Sequence, residues 1–254
     1  FSLFVCALSE AKGMLRNMID IHGHMLPGLD DGASTVEEAL EMISLAYDSG
    51  VAGITAVVHG NGSFEGVEEY KQRIRKLRYI LKELEIPVAL YSGMEICMGE
   101  GVIEKLRQGK LLTLNQTRYV LAEFLFDENI EFVFDSVYRL QKEGYKVIIA
   151  HPERYYFFQE DPDLIYDFVR QKCLMQINKG SVLGEFGSEE QRLAYQILNS
   201  NLAHAVASDA HGTRYRNSSM TEIRRILCRE FSEAYAKLLL MDNPARILRD
   251  EDIL

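Results

Sequence analysis

The chain has 254 residues, of which 47% are hydrophobic, enough to bury the core of one large domain and too apolar for global disorder. Its 28 basic against 38 acidic residues leave a formal net charge of −10, which disfavours non-specific binding to nucleic acid or anionic lipid. The same charge leaves room for an anionic substrate, because bound divalent ions reverse the local field.

The first 17 residues differ in pattern from the rest of the chain. The apolar run from Phe1 to Leu8 is far shorter than the ~20 residues a bilayer span needs, and no basic stretch precedes it as in a secretory signal. Residues 1–17 are therefore read as an N-terminal extension of unknown role and 18–254 as a single domain, with no stable membrane insertion expected. From Met18 onward apolar runs alternate with amphipathic stretches. The expected strands are Ile19–His22, Gly53–Val58, Val88–Ser92, Tyr119–Glu123, Lys146–Ala150, Leu174–Asn178 and His204–Ser208. Expected helices cover 35–48, 66–85, 101–108, 131–143, 162–172 and 189–200, with two more near 219–229 and 230–241. Ser34 with Glu37 and Ser188 with Gln191 have capping-box spacing, and Asp161-Pro162 fits an N-cap followed by proline.

No Pro/Ser/Gly-rich linker divides the chain and no repeat at solenoid spacing occurs. Alternating strand and helix with nearly continuous apolar strands implies an α/β fold with a parallel sheet covered by helices. Seven strands favour a closed or distorted barrel over an open doubly wound sheet, which stays as the alternative. The glycine-rich dinucleotide fingerprint and the phosphate loop ending in Gly-Lys-Ser/Thr are both missing. Cys6, Cys97, Cys173 and Cys228 are scattered without C-x-x-C spacing, so reduced thiols and a cytoplasmic protein are expected.

The chemistry-bearing residues gather at strand ends. Strand one runs into His22 and His24, strand two into His59, strand three into Glu95, strand four into Glu123, strand five into His151, and strand seven into Asp209 and His211. In a parallel barrel these ends open onto one face. Alternation along a strand sends both rings of His22-x-His24 to one side, and Asp209-x-His211 repeats the device with mixed donors. Imidazole plus carboxylate without thiolate suits manganese, iron or zinc, and carboxylates able to bridge ions suit a multinuclear centre that activates water. His204 begins a strand and is read as non-ligating. Arg154, three residues after His151, and Arg214 and Arg216, just after His211, are candidate phosphate-orienting groups. The aromatic run Tyr155–Phe158 fits either a wall for an aromatic ester or helix packing.

In chain order the motifs are Met-Ile-Asp-Ile-His22-Gly-His24, Asp30-Asp31-Gly32, His59, Gly93-Met-Glu95-Ile, Leu-Ala-Glu123-Phe, His151-Pro-Glu-Arg154, Ser208-Asp209-Ala-His211 and a closing Asn243-Pro244-Ala-Arg-Ile-Leu. Together they resemble the PHP (polymerase and histidinol phosphatase) superfamily, and most of all its branch of manganese-dependent protein-tyrosine phosphatases from bacterial capsule and exopolysaccharide operons. The resemblance implies a distorted (β/α)7 barrel holding three divalent metal ions, manganese foremost, with iron or zinc as alternatives. His22, His24, Glu95 and Asp209 would surround one ion, Glu95, Glu123 and His151 a second, and Asp31, His59 and His211 the third. Arg154 and Arg216 match the arginines expected to hold phosphate. The implied activity is hydrolysis of phosphotyrosine on a phosphorylated bacterial tyrosine kinase by a metal-bound hydroxide, without a phosphocysteine. His59 is followed by Gly-Asn-Gly where relatives often carry a longer polar or basic stretch, a departure that bears on the substrate mouth. A small-molecule phosphatase, such as one for histidinol phosphate, is the main alternative. A nuclease is disfavoured by the acidic balance, and an amidohydrolase by Glu123 standing where a bridging lysine is usual.

Overall fold

The structure is a computed structural model that describes residues 17–253; the extension read at 1–17, and Cys6 with it, lies outside the described residues except for Asn17. Strand and helix alternate in the order β1 (Met18–Gly23), α1 (Val36–Asp48), β2 (Val51–Ala56), β3 (His59–Gly60), α2 (Val67–Glu83), β4 (Ala89–Ser92), β5 (Glu95–Cys97), α3 (Val102–Arg107), β6 (Tyr119–Glu123) and α4 (Ile130–Lys142). There follow β7 (Lys146–Ala150), α5 (Tyr156–Glu160), α6 (Leu164–Arg170), β8 (Leu174–Asn178), α7 (Lys179–Leu183), α8 (Ser188–Asn199), β9 (Ala205–Ala207), α9 (Thr221–Ile226), α10 (Glu233–Lys237) and α11 (Asn243–Leu248). Among the described residues no helix is long and apolar enough to cross a membrane.

All strand pairings are parallel, in a sheet of order β1-β2-β4 and a second of order β3-β5-β6-β7-β8-β9. Beyond two of the expected strands, Gly53–Val58 and Val88–Ser92, a further short strand follows after an interruption, β3 after Val57-Val58 and β5 after Gly93-Met94. An isolated parallel bridge joins Gly23 to Ala210, where the His24 N–H donates to the Ala210 carbonyl at 2.9 Å and the Asp209 N–H to that of His22 at 2.8 Å. The end of β1 therefore meets the segment after β9.

Both faces of the strands are apolar, as parallel sheets require. Along β6 and β7, Val120, Ala122, Val147 and Ile149 join the large core under the helices, while Tyr119, Leu121, Ile148 and Ala150 join a second cluster. Ile21, Val57, Leu174 and Ala205 also belong to that second cluster, as do Ile247 and Leu248 of α11. The period-two alternation of each strand sorts its side chains between the two.

Local signals moved by a residue or two in several places. Thr35, not Ser34, caps α1 by accepting from the Glu38 N–H, and the Glu38 carboxylate accepts from the Ser34 N–H, so the box sits one residue later than read. The Ser188–Gln191 box does not form, because Gln191 donates to the Val182 carbonyl instead and Gly187 stands at the cap. Asp161 accepts from the Asp163 N–H ahead of α6 without capping it. His204 lies at the foot of β9, where its Nδ1 accepts from the Met175 N–H at 3.1 Å, and it takes no part in the histidine cluster. Cys97, Cys173 and Cys228 are free thiols.

The interruptions in strands two and three leave backbone groups without ladder partners, and Tyr70 of α2 satisfies one at each. Its phenol donates to the Ala56 carbonyl and accepts from the Gly93 N–H, both at 2.8 Å, from a fully buried ring. A buried backbone group left unpaired costs about 1–3 kcal/mol. Tyr70→Phe is therefore expected to lower the unfolding free energy by about 2–4 kcal/mol, counting both groups. Urea denaturation followed by circular dichroism measures this, and a change below about 0.5 kcal/mol would contradict the role given to the phenol.

Candidate metal centre

The strand interruptions bring His59, Glu95 and Glu123 together. His59 opens β3 and Glu95 opens β5, and the two are direct partners in the ladder. Cys97 of β5 is in turn the partner of Glu123, the last residue of β6. His22 and His24 leave β1 where its pairing with β2 slips between Asp20 and Gly23. His151 follows β7, and Asp209 and His211 follow β9. His151, Asp209 and Arg216 all take left-handed backbone, with φ of 34°, 48° and 45°. Such conformations are costly for side-chain-bearing residues and persist where the surroundings force them.

These side chains converge. The Nε2 atoms of His22 and His24 lie 3.3 Å apart, so the two rings do share one side. Glu95 Oε2 is 3.2 Å from His22 Nε2, 3.3 Å from His24 Nε2 and 3.2 Å from His59 Nδ1, while its Oε1 is 2.8 Å from His151 Nε2. Asp209 Oδ1 faces His22 Nε2 at 3.4 Å, and Glu123 lies 3.7 Å from His151 and 3.5 Å from His59. Asp31 Oδ1 sits 3.3 Å from both His59 Nε2 and His211 Nε2. Exposure climbs from nil at His22 and His24 to 38% at His59 and 65% at Asp31, so the cluster is deep at one end and open at the other.

The hydrogen-bond network fixes which atoms face inward. Asp209 Oδ2 can only accept, so Asn178 donates to it at 2.6 Å; the Asn178 oxygen then accepts from Gln176 at 2.9 Å. The Gln176 oxygen is left to accept from His22 Nδ1 at 2.7 Å. Asp30 likewise accepts from His24 Nδ1 at 2.6 Å. Both rings thus carry hydrogen on Nδ1 and turn Nε2 toward each other and toward two carboxylates. Electron-rich atoms at such spacing repel unless cations lie among them. Asp209 Oδ1 and His211 Nε2 are moreover buried without hydrogen-bond partners. The donor set fits divalent ions, and three groupings have ligand atoms close enough to share one: His22, His24, Glu95 and Asp209; His24, Asp31, His59 and His211; and His59, Glu95 and Glu123. His151 touches the last through Glu95.

Protons are the competing cations. Burial opposes charge on His22, but the Glu95 and Asp209 carboxylates outweigh it and lift its pKa to about 10. His59 rises to about 9 against burial, through its hydrogen bond to Glu123 and the charge of Glu95. Glu95 itself, despite burial, is held well below the carboxylate range by His22 and by hydrogen bonding to His151. His211 is pushed down to about 4 by burial and by neighbouring His24.

The arginines flank the same aspartate. Arg216 reaches Asp209 Oδ2 at 2.7 Å and Arg154 at 3.6 Å, on the carboxylate edge opposite the histidines. Arg154 is carried by the turn Pro152–Arg154, which buried Glu153 ties to β8 by accepting from the Asn178 N–H at 2.9 Å. Arg214 is exposed and is not brought to the cluster. Of the aromatic run, Tyr155 and Phe158 are fully buried, which favours the packing reading for both.

Four supporting residues carry no role in the sequence reading, although Asp20 and Gly32 stand within its motifs. Gln176 and Asn178 are buried amides at i and i+2 in the otherwise apolar run Leu-Met-Gln-Ile-Asn, a polar face on a core strand that was there to be noticed. Asp20 accepts from the Ser208 and His22 N–H groups and ties β1 to β9. Gly32 is required because a Cβ there would come within 2.3 Å of the His24 carbonyl, so the Asp30-Asp31-Gly32 turn closes directly on His24.

Removing the amide that orients His22 is expected to weaken divalent-metal affinity about 10–100-fold. Calorimetric titration of Gln176→Leu with manganese tests this, and unchanged affinity would contradict the network. Because His22 holds its proton up to about 10, an entering ion must displace it at neutral pH. Binding should then release protons and tighten as pH rises from 6 to 9, as seen by titrating in buffers of different ionisation enthalpy.

Known proteins resemble the chain in sequence and in fold. Residues 18–249 match the family described as capsular polysaccharide synthesis, CpsB/CapC. The tyrosine-protein phosphatase YwqE of Bacillus subtilis is 36% identical over 241 residues, 93% of each chain. The tyrosine-protein phosphatase CpsB of Streptococcus agalactiae is 31% identical, over 93% of this chain and all of that one. A crystal structure from work on YwqE of B. subtilis and CpsB of Streptococcus pneumoniae, described as unique metal-dependent tyrosine phosphatases, superposes with a TM-score of 0.87. It is 35% identical and covers 93% of this chain and 96% of that one. With a family match over nearly the whole chain and ligand-type residues gathered at one end of its strands, the chain belongs to the CpsB/CapC family of capsular polysaccharide synthesis.

Proposed function

We propose that this chain is a metal-dependent protein-tyrosine phosphatase, acting in the cytoplasm on a phosphorylated bacterial tyrosine kinase that governs capsule or exopolysaccharide synthesis. The observation that carries the reading is the pair of guanidinium groups on Asp209 Oδ2, immediately beside the histidine–carboxylate cluster. Family membership and the names of its relatives support the substrate class. Residues 18–254 are taken as one PHP-type domain, a distorted (β/α)7 barrel in which β2 with β3 and β4 with β5 count as two interrupted strands. The bridge from Gly23 to Ala210 supports its closure.

We assign His22, His24, Glu95 and Asp209 to one ion and Asp31, His59 and His211 to another, with His24 near enough to join. Glu95, Glu123 and His151 are assigned to a third, which His59 also approaches. Nitrogen and oxygen donors without thiolate favour manganese, with iron or zinc as substitutes. Ions so held would supply positive charge to phosphate oxygens and acidify water near neutral pH. The chain's own contribution is placement. Arg154 and Arg216 present planar donor forks to phosphate oxygens, Asp209 holds both forks against the cluster, and Gln176 and Asp30 keep the inner histidines in the tautomer that ligates.

Protein supplied with manganese is expected to release inorganic phosphate from phosphotyrosine peptides. Arg216→Ala should lower kcat/KM about 100-fold or more while leaving bound metal unchanged, and His151→Ala should abolish turnover. Faster hydrolysis of histidinol phosphate than of the peptides would overturn the substrate assignment, and no turnover with any divalent metal would overturn the activity.

A further inference from the structure

Two phenylalanines stand beside the arginines with no place in the hydrophobic interior. Phe126 and Phe186 belong to neither apolar cluster, unlike Tyr155, Phe157 and Phe158. The guanidinium carbon of Arg154 lies 4.6 Å from the ring centre of Phe126 and 4.8 Å from that of Phe186, so two aromatic rings adjoin this cation. The guanidinium of Arg216 reaches the same Phe186 ring at 5.9 Å. One half-buried ring is therefore shared by both arginines that lean on Asp209.

The segment around Phe186 is shaped to put the ring there. It lies between α7 and α8 and is bracketed by Gly184 at φ +78° and Gly187 at φ +135°, backbone that side-chain-bearing residues rarely adopt. The ring rests against the bare backbone of Gly180, where a Cβ would approach it to 2.7 Å. Arginine side chains have many rotamers, and freezing one against a solvated alternative costs entropy. An aromatic face answers that cost, because the guanidinium stacks on it while its hydrogen-bonding edge stays free for an oxyanion.

We propose that Phe186 is a positioning residue that holds Arg154 and Arg216 together as one phosphate clamp, with Phe126 backing Arg154 alone. The proposal rests on the phosphatase reading for its consequence in catalysis, but the clamp itself is testable by phosphate binding.

Manganese-loaded protein is titrated calorimetrically with inorganic phosphate, and KM and kcat are measured on a phosphotyrosine peptide. Phe186→Leu keeps apolar bulk and removes the aromatic face, and it is expected to weaken phosphate binding and raise KM about tenfold, with metal content unchanged. Phe186→Tyr should restore both constants to within about twofold, and Phe126→Leu, which frees one arginine only, should cost about threefold. Phosphate affinity in Phe186→Leu equal to that of the parent, or a Phe186→Tyr variant as impaired as the leucine one, would overturn the proposal. Failure of the parent protein to cleave the peptide would overturn the phosphatase reading instead, while the phosphate titrations would still decide the clamp.

Discussion

The structure is organised around a concentration of unshared electron pairs that only cations can stabilise. Glu95, 1% exposed, contacts four imidazoles through its two oxygens, and Asp209, equally buried, adds another oxygen to the same space. Gathering carboxylates and imidazoles out of water carries a desolvation cost that hydrogen bonding to the protein only partly offsets. The outward hydrogen bonds from His22 and His24 remove the remaining freedom, since each ring has already committed its Nδ1 to an oxygen acceptor. What is left is a set of donors that binds protons or metal ions, and the fold supplies the rigidity that keeps it assembled.

That rigidity comes from features that would be faults elsewhere. Strands two and three are interrupted, and the interruptions let His59 and Glu95 start a fresh ladder as direct partners. Tyr70 bridges the two gaps from a neighbouring helix. Left-handed backbone at His151, Asp209 and Arg216 turns three side chains toward the cluster from loops that would otherwise lead away from it. Buried Lys179 donates to Asn217 at 3.0 Å and to the Ser219 carbonyl at 2.8 Å, pinning the loop that carries Arg216. Strain and buried polarity thus collect where the chemistry is proposed, as expected when a site is held by the scaffold around it.

Much of this was legible in the sequence, and the exceptions have physical reasons. The strands Tyr119–Glu123, Lys146–Ala150 and Leu174–Asn178 were read to the residue because apolar, β-branched runs end at charged or turn residues. The short strands β3 and β5 are absent from the sequence reading because nothing in Val57-Val58 or Gly93-Met94 announces that a second ladder starts beyond a break bridged by Tyr70 of α2. The short helices α5 and α7 have too few residues to establish a period. Eight of the nine histidine and carboxylate candidates are legible from their position at strand ends and Asp31 only through the family resemblance, and the side chains of all nine lie in one cluster. The residues that orient them were missed because an amide such as Gln176 is informative only once its partner is known. The two phenylalanines at the arginines were missed for the same reason, since Phe186 sits in a glycine-flanked turn where no periodicity applies.

The central claim is that this cluster works by holding divalent ions, not by acid–base chemistry of the side chains alone. The most direct measurement is metal content against phosphotyrosine hydrolysis, on protein first stripped by a chelator and then titrated with manganese. Activity should be absent in the stripped protein and should return in step with bound metal, up to three ions per chain on the proposed assignment. Full activity in protein containing no bound metal would contradict the account.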